Sequence, residues 1–74
     1  MYPLRNVPAR PYTEWHQAAG LEVEVRIKGI RRHRGFVDDV MVDGSGVWLA
    51  VFGVSVRVFV TREEETELWP VPAY

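Results

Sequence analysis

From Leu21 the chain alternates strictly, with Leu21, Val23, Val25 and Ile27 set against Glu22, Glu24, Arg26 and Lys28. Successive strand side chains project to opposite faces, so this pattern predicts a strand with one face in a core. Gly29 and Gly35 flank a basic stretch and give the backbone freedom to turn, which predicts a hairpin with charge at its tip. The next stretch, Phe36 to Asp43, does not keep one phase: Val37 sits on odd positions, Val40 and Val42 on even ones. A slip at Asp38 and Asp39 predicts a bulge or sharp bend there.

Asp43-Gly44-Ser45-Gly46 reads as a turn, after which Val47 to Phe52 is apolar on both faces. Such a strand is covered on both sides. Val47, Leu49 and Val51 serve one face; Trp48, Ala50 and Phe52 then meet the N-terminal segment or a neighbouring subunit. After Gly53, the series Val54, Val56, Val58 and Val60 restarts alternation, which turns Phe59 outward beside Arg57. Leu68 and Trp69 suggest a short closing strand ended by Pro70 and Pro72. Ahead of the strands, Thr13 to Ala19 reads as a short helix, with Thr13 as N-cap and Gly20 as terminator. Pro3, Pro8 and Pro11 make residues 1–12 an extended arm. One domain over 13–69 and a tail over 70–74 complete the division.

This pattern predicts a mainly β fold: a small, strongly bent, five-stranded antiparallel barrel preceded by a short N-terminal helix. Residues 20–43 resemble the first motif of the Sm-like family through Gly20, Val23, Val25, Ile27, Lys28, Gly29, Gly35, Val37 and Asp43. The strand pattern is also similar to Src-homology-3-like barrels of the Tudor and KOW types. The resemblance implies a small barrel, and for the Sm-like family a ring of subunits. Where Sm-like RNA binders carry an asparagine loop this chain has Asp43-Gly44-Ser45-Gly46, and in place of an arginine-glycine pair it has Val56-Arg57-Val58. That family's base-reading pocket is therefore not carried over, and a shared fold by itself assigns no activity.

Length limits the chemistry, because 74 residues leave room for one small core and no separate catalytic domain. Cysteine is absent, which excludes disulfides and thiolate zinc sites. Nine basic residues against ten acidic give a net charge of −1, which argues against bulk nucleic-acid affinity but not against a local patch. Arg26, Lys28, Arg31, Arg32, His33 and Arg34 form such a patch, and arginine pairs well with phosphate. The alternative for these residues is a solvated surface, paired with Glu63, Glu64, Glu65 and Glu67.

Candidate catalytic and metal-binding groups are sparse. His16 and His33 lie in different elements without a third ligand, Asp38 and Asp39 project to opposite faces, and Ser45 and Ser55 lack a neighbouring base. No catalytic residue, metal or cofactor is expected. No apolar run approaches the length of a membrane helix and no signal peptide is evident, so the expected location is cytoplasmic.

The sequence thus predicts a non-enzymatic binding module that contacts RNA or single-stranded nucleic acid through Arg26, Lys28, Arg31, Arg32, His33 and Arg34. The alternative is a protein-protein interaction or homo-oligomeric assembly module, with Trp48, Phe52 and Phe59 at the interface. Trp48 and Trp69 read more readily as core than as base-stacking platforms.

Overall fold

A computed structural model describes residues 10–53 and 55–71. Its elements are a single 3-10 turn, η1 (Trp15–Ala18), followed by β1 (Glu22–Ile27), β2 (Ile30–Val40), β3 (Gly46–Val51), β4 (Val58–Thr61) and β5 (Thr66–Pro70). The strands form one antiparallel sheet in the order β4-β3-β2-β1-β5. β4 and β5 do not pair, so the sheet is open where a closed barrel was expected. The predicted helix over Thr13 to Ala19 is reduced to one turn, and its N-cap residue is Glu14, without a side-chain capping bond. Residues 1–9 of the expected arm and 72–74 of the tail lie outside the described residues.

The β1 alternation folds as its pattern requires: Val23 and Val25 are fully buried while Glu22 and Glu24 stay on the outer face. The hairpin is tighter than predicted. Ile27 pairs with Ile30 across Lys28 and Gly29, which have φ of 54° and 77°, the signature of a two-residue type I′ turn. The arginines therefore line a strand instead of a tip. Gly35 is not a turn residue at all; it lies buried within β2, where a Cβ would overlap the Ala50 backbone.

β2 is eleven residues long and serves both β1 and β3. Its register shifts twice, leaving Arg32 unpaired opposite β1 and Asp38 unpaired opposite β3. The second shift is the bulge expected at Asp38 and Asp39, and each such extra residue bends its strand and increases local twist.

Trp15 and Ala18 of η1, Val23, Val25, Val37, Val47, Leu49, Val60 and Leu68 make the core. Trp15 therefore packs on the face of the sheet that carries Val23, Val25, Val37 and Leu49. The turn is tied down by Gly20 N–H donating to Val37 C=O at 2.9 Å and by His16 Nε2 donating to Val42 C=O at 3.1 Å. Among the described residues no helix is long and apolar enough to cross a membrane.

Candidate interaction face

The outer face of the sheet divides into a charged half and an apolar half. On the charged half, Glu24 pairs across β1 and β2 with Arg34, and Glu22 with Phe36. Arg34 Nε lies 2.7 Å from Glu22 Oε2, Arg26 Nε lies 2.6 Å from Glu24 Oε2, and Arg31 Nη1 lies 3.5 Å from Glu24 Oε1. Arg26 also covers the Trp69 ring, its guanidinium carbon 4.1 Å from the ring centroid, while Trp69 Nε1 donates to Glu67 Oε1 at 3.0 Å. Each of these three arginines meets a carboxylate, Arg26 and Arg31 sharing Glu24, which weakens the field a phosphate backbone would need.

The predicted basic cluster is thus dispersed. Lys28 occupies the turn, and Arg32 is the exposed bulge residue. His33 pairs with Val25 and lines a groove of about 240 Å³ with Ile27, Phe59, Val60, Thr61, Glu63 and Thr66. The expected partners in the run Glu63 to Glu67 are replaced by Glu22 and Glu24. Those two glutamates lie on the same face as the arginines because residues facing one another across a ladder share a face.

The apolar half is continuous in the register. Phe59 faces Trp48 across β4 and β3, Ala50 is two residues along β3, and Phe36 faces Ala50 across β2. Phe52 then closes on Phe36, with ring centroids 5.5 Å apart in an edge-to-face arrangement; the Trp48 and Phe59 centroids are 5.0 Å apart. Phe36, Phe52 and Phe59 are 45%, 52% and 40% exposed. Gly46 gives Phe59 its seat: a Cβ there would fall 2.5 Å from the ring. Arg57 borders the stripe, its guanidinium 5.0 Å from the Trp48 centroid and 2.6 Å from Asp38 Oδ2. An apolar centre with a polar rim is the anatomy of a protein-docking patch.

Trp48, Phe52 and Phe59 are therefore brought together. Ala50 lies between them, on the face that the alternation gave it, and Phe36 joins them, which sequence reasoning missed because its adjacency depends on the β2–β3 register. Asp38 and Asp39 are separately engaged, Asp38 by Arg57 and Asp39 by the Val40 N–H, which donates to Asp39 Oδ1 at 2.9 Å. His16 and His33 lie on different elements. No group of three or more potential metal ligands occurs among the described residues. No family model matches the chain, and neither a curated protein nor a solved structure does.

Proposed function

We propose that this chain is a non-enzymatic interaction module that docks a protein partner on the stripe Phe59, Trp48, Ala50, Phe36 and Phe52. The observation that carries the reading is the contiguity of these side chains on one exposed face, beside Arg26, Arg31 and Arg34 engaged by Glu22 and Glu24 and Arg57 engaged by Asp38. Large exposed apolar patches on small domains mark interaction sites, and aromatic side chains supply most of the binding energy at such sites. The resemblance to Sm-like and Src-homology-3-like barrels contributes a strand pattern to this reading and no ligand.

Nucleic acid becomes the weaker candidate because phosphate binding depends on cations free to displace counterions, and of the five clustered cations three are engaged by carboxylates, which leaves Lys28 and Arg32. The reading is tested by titrating labelled single-stranded RNA, single-stranded DNA and duplex DNA with the protein at low and physiological salt. No change in anisotropy is expected. Salt-sensitive binding that Arg31→Glu with Arg34→Glu abolishes in a folded protein would return the function to nucleic acid.

A further inference from the structure

The two outer edges of the sheet differ in what they offer another strand. On β5, Lys28 N–H donates to Glu65 C=O at 2.9 Å, in register with β1. Antiparallel ladders alternate the direction of their backbone groups, so Glu67 and Trp69 face β1 while Thr66, Leu68 and Pro70 face the edge. That edge is partly taken. Thr66 N–H donates to Glu63 C=O at 3.0 Å, Leu68 C=O accepts Tyr12 N–H at 2.8 Å, and Pro70 has no N–H.

On β4, Arg62 N–H donates to Ser45 C=O at 2.8 Å. The same alternation turns Val60 and Val58 toward β3 and leaves both backbone groups of Phe59 and of Thr61 at the edge. None of these four groups has a hydrogen-bond partner among the described residues. An open edge of this kind is a template for another strand.

We infer that β4 is a self-pairing edge, on which a second copy of this chain lays its own β4 antiparallel about a two-fold axis at Val60. Centred there, Phe59 lies opposite Thr61 of the second copy, and Thr61 opposite its Phe59. All the edge groups of both chains then pair. Centring on Phe59 or on Thr61 pairs only the central residue within β4. The Val60 register also sets Arg57 opposite Glu63 of the second copy on each side of the axis, an opposite-charge match just outside the strand. Glu63 already lies beside the edge, where it lines the groove with Phe59, Val60 and Thr61. A head-to-tail arrangement of β4 on β5 lacks this complementarity, because Tyr12 and Pro70 blunt the β5 edge. The pairing is isologous and closes at two copies.

This inference rests on backbone groups and does not require the apolar stripe to bind a protein. Sedimentation velocity on the full chain, from micromolar to millimolar concentration, is the test. The expected result is a monomer–dimer equilibrium. Thr61→Pro removes an edge donor without touching the β3–β4 ladder and is expected to weaken the dimer about tenfold or more. Glu63→Arg sets like charges against Arg57 and is expected to weaken it without altering the backbone. Amide exchange at Phe59 and Thr61 should slow as the dimer fills.

A monomer at millimolar concentration overturns the inference, as does a dimer that both variants leave intact. Slow exchange at these amides in a monomer also overturns it, because another part of the chain then covers the edge. Phe36→Ser is expected to leave the dimer unchanged, which separates this edge from the stripe.

Discussion

Two turn residues owe their state to their surroundings, Lys28 in its backbone conformation and Asp43 in its acidity. Lys28 is the only described non-glycine residue with positive φ, a region that costs most L-residues free energy. Lys28→Asn, which creates the preferred Asn-Gly turn, is expected to stabilise the domain by about 0.5–1 kcal/mol in urea unfolding; a loss of stability would contradict the turn. Asp43 is a second case: the Ser45 hydroxyl and the Ser45 N–H, 3.0 Å from Oδ1, hold its carboxyl below the ordinary value of 3.8. Because the folded value is lowered, this contribution is present above 3.8 and is lost as pH falls through the folded value. Asp43→Asn should flatten the pH dependence of thermal unfolding below about pH 4 and leave its shape above about pH 5 unchanged. A titration midpoint for Asp43 at or above 3.8, measured by NMR, would contradict the turn geometry.

At the scale of elements, β2 decides the shape of the molecule. It reaches both halves of the sheet because Gly35 lets the β3 backbone approach and because Arg32 and Asp38 are accommodated as extra residues. Gly35→Ala is expected to cost about 1–3 kcal/mol through overpacking against Ala50, read as a lower urea midpoint with an unchanged slope; no loss would mean that the two strands have room to separate. Part of this was legible in the sequence. The β1 alternation and the phase slip at Asp38 identify a half-buried strand and a bent one, since each is a local pattern. Gly35 misleads because a glycine that permits close backbone approach looks the same in sequence as one that permits a turn. The dispersal of the basic cluster was not legible either, because the partnership of Arg34 with Glu22 and of Arg31 with Glu24 depends on cross-strand register. Cross-strand register likewise brings Phe36 to Ala50 and Phe59 to Trp48, whereas the shared face of Trp48, Ala50 and Phe52 is a local alternation.

For the molecule as a whole, the outer face separates partly paired charge on β5, β1 and the start of β2 from exposed aromatic surface on the rest of β2, β3 and β4. The core is already complete behind the sheet, with Trp15 and Leu68 closing it, so these aromatics are not needed to fill it. The central claim is that this surface docks a protein. The most direct measurement is photo-cross-linking in cells from a benzophenone side chain placed at Ala50, in the middle of the stripe, with the same group at fully exposed Val42 as control. A discrete protein adduct from position 50, absent from position 42 and lost when Phe36→Ser and Phe52→Ser are added, is the result expected. Adducts to nucleic acid from position 50, or the same adducts from both positions, would contradict it.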